Sequence, residues 1–110
     1  MAFYMFQCRY TPAAFKAMIE TPQDREAAGR TLIEAAGGKL HHLFFSFGDN
    51  DVVALIECPD DITMAAGTMA LAASGAFSGG ATTKLMTAQD AMKAMKAAQA
   101  VAKVYVPPTR

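Results

Sequence analysis

Two adjacent histidines and one glutamate are the residues of this sequence best suited to chemistry. His41 and His42 stand in the stretch KLHHLFFSF, and Glu57 follows them in VVALIEC. A carboxylate beside an imidazole makes the ring more basic and fixes its orientation. Such a pair is a candidate general-base dyad, and the alternative is an ion pair at the surface or in an interface.

The same side chains do not predict a metal site. Adjacent residues of a strand point to opposite faces of the sheet, so His41 and His42 cannot readily hold one ion. Cys8 and Cys58 lack the C-x-x-C spacing of zinc and redox motifs. We expect no metal and no cofactor, and we expect two buried free thiols.

The histidines and Glu57 belong to two predicted strands, which the acidic turn Gly48–Asp51 joins into a hairpin. A loop of even length, centred within this turn, places His42 opposite Glu57 and Phe44 opposite Leu55. This register makes His42 and Glu57 the catalytic candidates.

Alternation along the strands divides the predicted sheet into two faces. The apolar face, expected under the helices, comprises Tyr4, Phe6, Cys8, Tyr10, Leu43, Phe45, Phe47, Val52, Ala54 and Ile56. The mixed face comprises Phe3, Met5, Gln7, Arg9, Leu40, His42, Phe44, Ser46, Val53, Leu55 and Glu57. The mixed face is more apolar than monomers usually expose, so we predict a homo-oligomer that assembles through it.

Any small-molecule ligand is expected on the mixed face, where an apolar wall meets a few polar groups. The predicted contacts are Gln7, Arg9, His42, Phe44, Leu55 and Glu57. Arg9 has two interpretations. It forms an ion pair with Asp51, or it grips a carboxylate or phosphate of the ligand.

Capping residues and turn residues predict the remaining elements. The predicted order is a strand over 3–10, helices from Thr11-Pro12 and from Thr21-Pro22 to Gly37-Gly38, strands over 39–47 and 52–58, a helix over 62–74, a strand reaching Met86 and a last helix to about Lys103. This order predicts an α+β fold, the ferredoxin-like βαββαβ sandwich. Its antiparallel sheet has the order 4-1-3-2, with an extra helix before strand 2 and a C-terminal helix. We assign residues 1–104 to one domain and 105–110 to a short tail.

Composition narrows the function classes. Of 110 residues, 53% are hydrophobic and 18% are charged, and ten basic residues balance ten acidic ones. Bulk disorder is thereby excluded, and no basic field indicates a nucleic-acid partner or a membrane anchor. Two cysteines and eight methionines are typical of a reducing, cytoplasmic location.

Several short stretches together resemble the GYD-domain family, a small bacterial family named for its Gly-Tyr-Asp turn. The matching residues are Phe6 to Thr11, Pro22 to Arg25, Gly37 to Leu40, Phe47 to Val53, Glu57 and Pro59-Asp60. The turn departs from the family pattern, since Asn50 replaces the tyrosine while Gly48 and Asp51 remain. The resemblance implies a ferredoxin-like or dimeric α/β-barrel fold and no established activity.

Three functions remain open from the residues and the resemblance. The first is an oligomeric cytoplasmic module that binds a small molecule without catalysis. The second is a cofactor-independent oxygenase or isomerase of the dimeric α/β-barrel type, using His42 and Glu57. The third is a trimeric ferredoxin-like regulatory protein.

Overall fold

The computed structural model describes residues 1–109, which form four strands and four helices. They are β1 (Ala2–Tyr10), α1 (Pro12–Glu20), α2 (Arg25–Ala35), β2 (Lys39–Phe45), β3 (Val52–Cys58), α3 (Asp61–Ala73), β4 (Phe77–Leu85) and α4 (Ala88–Ala102). Neighbouring strands pair antiparallel in the order β2-β3-β1-β4. This confirms the predicted ferredoxin-like sandwich with sheet order 4-1-3-2, in which α2 is the extra helix and α4 the C-terminal one.

Side-chain caps begin all four helices. Thr11, Asp24, Asp60 and Thr87 each accept hydrogen bonds from backbone N–H groups of the first turn. These bonds satisfy donors that a helix start leaves without partners. Helix α2 begins later than expected, because Asp24 rather than Thr21 is its cap.

The core lies between one face of the sheet and helices α1 to α3. Its buried residues are Tyr4, Cys8, Tyr10, Ile33, Leu40, Val52, Ala54, Ile56, Cys58 and Met64. Both thiols are free, and they lie at opposite ends of the β1–β3 pair, where Cys8 faces Val52 and Cys58 faces Ala2. Burial raises the pKa of the Cys8 thiol to about 11, so its reactive thiolate is scarce at neutral pH.

The β2–β3 hairpin has a different register from the predicted one. Phe44 pairs with Val53 and His42 pairs with Leu55, two residues out of step with the expected pairing. A β-bulge then intervenes, so that Leu40 pairs with Ile56 and His41 is left as the extra residue.

This register corrects two face assignments. Leu40, expected on the mixed face, is buried in the core because the bulge reverses the alternation of β2. Phe47, expected under the helices, belongs to the turn and is fully exposed.

Helix α4 stands apart from the sandwich. Every residue of this helix except Ala91 is exposed. The chain measures 60 × 33 × 21 Å with a radius of gyration of 18.1 Å, against about 13 Å for a compact domain of this length. Within residues 1–109, α4 included, no helix is both long and apolar enough to cross a membrane.

A polar cluster fastens the start of α3 to the sheet. The Tyr4 hydroxyl donates a hydrogen bond to the Asp61 carboxylate, and Lys84 Nζ lies 2.9 Å from the same carboxylate. The hydrogen bonds from Tyr4 and then Lys84 hold the pKa of Asp61 below its usual range. The bond to Asp61 in turn raises the pKa of Tyr4 from 10.0 to about 12.

We predict that Tyr4→Phe lowers the thermal unfolding midpoint at neutral pH. Because the folded pKa of Tyr4 exceeds its ordinary value, the stability that this hydroxyl contributes is complete below pH 10.0 and is lost as the pH rises to about 12. The difference in midpoint between wild type and variant should therefore shrink over that interval. Calorimetry or circular dichroism across the alkaline range measures it, and a constant difference would contradict the assignment.

Candidate functional site

The bulge in β2 brings His41, not His42, to Glu57. The His41 Nε2 atom lies 3.0 Å from the Glu57 Oε1 atom. The predicted pairing of His42 with Glu57 is wrong, because the hairpin register differs by two residues from the expected one and places His42 opposite Leu55. The bulge then leaves His41 as the extra residue beside Glu57. A bulge commonly re-aims a side chain in this way beside a functional site.

The pair lies on the face of the sheet opposite the helices. This helix-free face carries Phe3, Met5, Gln7, Arg9, His41, His42, Phe44, Val53, Leu55 and Glu57. Phe3 is directly opposite Glu57 on β1, and its ring centroid is 5.7 Å from that of His41. The side chains of His41 and Glu57 are 25% and 22% exposed, so the pair is largely shielded within a single chain.

This contact determines which ring nitrogen of His41 is bonded to Glu57 and which is not. An ionised carboxylate only accepts hydrogen bonds, so Glu57 binds His41 through a protonated Nε2. The neutral ring then carries its lone pair on Nδ1, which can accept a hydrogen bond or a proton from a hydroxyl group. The His41–Glu57 pair is therefore an acceptor with a fixed orientation, set beside an aromatic wall.

His42 occupies a different environment. It pairs with Leu55 across the hairpin, its side chain is exposed, and its ring stacks on Phe44 with centroids 5.7 Å apart. His42 therefore packs on Phe44, and it is His41 that contacts Glu57.

The remaining predicted contacts are spread along the helix-free face. Leu55 is two residues before Glu57 on β3, so the two side chains are neighbours on the same face. Gln7 and Arg9 are four and six residues along β1 from Phe3, or roughly 13 and 20 Å at the rise of a strand. The structure therefore keeps Leu55 near the pair and places Arg9 at the far end of the sheet.

Asp51 contacts the backbone in place of the predicted ion pair with Arg9. Its carboxylate accepts the N–H of Tyr10 at 3.0 Å, and its own N–H donates to the Cys8 carbonyl at 2.8 Å. The Arg9 guanidinium instead lies over Gly79, where a side chain would collide with it. Asp51 thus adds hydrogen bonds to β1 just beyond the last residue pair of the β1–β3 ladder, Cys8 and Val52.

Two cavities that sequence reasoning missed lie on the helix-covered side of the sheet. An open groove of about 470 Å³ runs between α3 and β4, and a space of about 80 Å³ lies beneath the helices. Among residues 1–109, no three His, Cys, Asp or Glu side chains are grouped to hold a metal ion.

Comparisons with known proteins agree with this architecture. The crystal structure of MtbAldR is similar with a TM-score of 0.59 at 12% sequence identity, over 78% of this chain and 53% of that one. The chain thus spans about half the length of MtbAldR, and the likeness shows the fold alone. A comparison with the curated proteins gave no match. The family model described as GYD domain matches residues 4–95, and the chain therefore belongs to the GYD domain family.

Proposed function

We propose that the protein is a small-molecule-binding module that assembles as a homodimer through its helix-free face. The observation that carries the proposal is the 3.0 Å contact between His41 Nε2 and Glu57 Oε1 on a sheet face that no helix covers. Surface histidines are normally free to rotate in water. Here a carboxylate, a strand bulge and the Phe3 ring all fix one.

The apolar surroundings of the pair support assembly. Phe3, Met5, Val53 and Leu55 are only partly buried, and Phe44 is 62% exposed. Together they form a continuous apolar surface across three strands, of the kind that marks an interaction site. Two such sheets packed face to face stand about 10 Å apart. At this distance the side chains of the two sheets meet, and a His41–Glu57 pair from each protomer lies within the interface.

The same geometry narrows the ligand class. The Nδ1 atom of His41, which does not contact Glu57, can accept a hydrogen bond, and Phe3 and Leu55 offer apolar contact on the same face of the sheet. A ligand that makes both the hydrogen bond and the apolar contacts has a hydroxyl group attached to an aromatic or aliphatic group. A site built around one hydrogen bond discriminates strongly against an analogue that lacks the donor.

A proton-transfer enzyme without a cofactor is the second candidate. A histidine oriented by a carboxylate is the usual form of a general base. In this reading His41 Nδ1 removes a proton from carbon or oxygen of the bound molecule, and Glu57 stabilises the imidazolium that forms.

We predict that Leu55→Lys halves the mass of the assembly. Leu55 pairs with Met5 and His42 at the middle of the helix-free face, and a buried ammonium there would have no partner. Light scattering at micromolar concentration measures the mass. The matched control is Ala35→Lys, which adds the same charge at an exposed position of α2 and should change nothing. A folded Leu55→Lys protein of wild-type mass would contradict the interface.

We predict that 4-methylphenol binds and that its methyl ether does not. With so few atoms, a Kd on the order of 1 mM is expected. Amide shifts of Phe3, Leu55 and Glu57 in two-dimensional NMR report the titration. His41→Leu, which has no hydrogen-bond acceptor, should abolish binding, whereas the adjacent His42→Leu should retain it. Equal binding of phenol and ether, or equal loss in both variants, would refute the assigned acceptor.

The catalytic candidate has a separate test. If His41 is a general base, the protein should exchange the α-protons of an enolisable ketone such as cyclohexanone for deuterium in heavy water faster than His41→Gln does. Proton NMR follows the loss of signal with time. Equal rates in the two proteins would leave ligand binding as the function of the pair and exclude proton abstraction by His41.

A further inference from the structure

Helix α4 carries an apolar stripe that its own chain leaves uncovered. The stripe comprises Ala91, Met95, Ala98 and Ala102, spaced three or four residues apart, and Met92 lies at its edge. Lys93 lies on the opposite side of the helix from this stripe, and Lys96, four residues after Met92, lies beside that methionine at the edge. The side chains of Met92 and Met95 are 51% and 67% exposed.

An uncovered helix of this length needs a partner. A helix of 15 residues is marginally stable alone in water, and most helical stability in proteins comes from packing an apolar face. Only Met86 and Thr87 connect α4 to β4, and the helix extends the chain to 60 Å in its long dimension. The stripe is therefore presented to another molecule.

The same chain carries an apolar groove between α3 and β4. The groove of about 470 Å³ between α3 and β4 is lined by residues that include Thr68, Met69, Ala72, Phe77, Gly80 and Thr82. None of the described side chains that line it is charged. Glycine and alanine on its walls permit a helix to approach closely, and Met69 stands exposed at its edge.

The groove leads towards a deeper unfilled space. Phe6, Cys8, Leu71 and Phe77 line both the groove and the cavity of about 80 Å³ beneath the helices. Well-packed interiors leave few voids larger than a water molecule. Methionine is the side chain that adapts most readily to an irregular apolar gap, and α4 presents two of them.

We propose that α4 of one copy of this chain docks in the groove between α3 and β4 of a second copy, with Met95 turned into the groove and Met92 at its rim. A helix of 15 residues is about 22 Å long, and the six residues of β4 that line the groove, Phe77 to Thr82, span about 20 Å, so the helix and the groove are of similar length. The exchange is reciprocal, as a two-fold axis requires. An uncharged groove matches an uncharged stripe, and the lysines of α4 remain in water.

This contact does not rest on the proposed function. The groove lies on the helix-covered side of β4, where Thr82 pairs with Phe6, and the Leu55 surface lies on the other side of the sheet. The two contacts together would give an assembly of four chains.

Cross-linking between two different chains tests the docking directly. One chain carries Met95→Cys in α4, the other carries Thr82→Cys in the groove, and they are mixed by joint unfolding and refolding. A short bis-maleimide should join them into a covalent dimer. The control exchanges Met95→Cys for Ala97→Cys on the lysine side of α4, which should cross-link poorly. The native Cys8 and Cys58 are buried, so they should react little with the maleimide. Wild-type protein treated in the same way measures the cross-linking that they contribute.

Three results would overturn the proposal. One is a folded mixture that gives no covalent dimer above background. Another is a chain with both substitutions that cross-links only within itself, which would show α4 folded back on its own groove. The third is an equal yield from Ala97→Cys.

A change in mass distinguishes this contact from the sheet interface. Met92→Lys with Met95→Lys should halve the mass of the assembly while Ala97→Lys leaves it unchanged. Lysine is nearly as good a helix former as methionine, so α4 itself is not weakened. Adding Leu55→Lys should then give single chains of 11.7 kDa. If Leu55→Lys alone has no effect, the sheet interface fails and the docking of α4 stands.

Discussion

The extra residue in β2 is the constraint on which the arrangement of this protein depends. Leu40 and Leu43 both face the helices, although they are three positions apart and a regular strand would put them on opposite faces. The bulge at His41 absorbs the mismatch. It lets both leucines reach the core, and it turns His41 to the helix-free face beside Glu57. Core packing and the polar pair are thus two consequences of one irregularity.

The second constraint is that the sandwich is too small to cover its own apolar surface. Three helices cover one face of a four-stranded sheet, and β4 is exposed along most of its length. The helix-free face, the groove beside α3 and the stripe of α4 all remain partly open to water. A chain that is 53% hydrophobic and carries no net charge has little electrostatic repulsion to oppose association. The self-assembly that we propose would cover this excess.

The elements and their order could be predicted because local signals specify them. Thr11, Asp60 and Thr87 begin helices where capping residues precede apolar runs, and the acidic turn separates two strands of high β-propensity. The register of the hairpin could not be predicted in the same way. Apolar residues occupy both alternations of KLHHLFFSF, so the pattern alone does not decide which residues pair. The spacing of Leu40 and Leu43 is a signal for a bulge only once both are known to be buried.

The candidate site could be predicted only in part, because it depends on the register of the hairpin. Glu57 and the face that carries it follow from the sequence, since β3 alternates regularly from Val52 to Cys58. The choice between adjacent histidines does not follow, because one inserted residue decides it. The groove beside α3 could not be foreseen either, since an unfilled space depends on how far the helices cover the sheet. Its lining of small and apolar residues is indistinguishable in sequence from a filled core.

The nitrogen-15 chemical shifts of the two imidazole rings test the central claim most directly. Glu57→Gln replaces the carboxylate with an amide of nearly the same shape, and the spectra of this variant are compared with those of the wild type. The bulge at His41 predicts that the ring nitrogens of His41 shift while those of His42 stay in place. A shift confined to His42 would mean that β2 and β3 form a regular ladder, and the account of the core and the site would be wrong together.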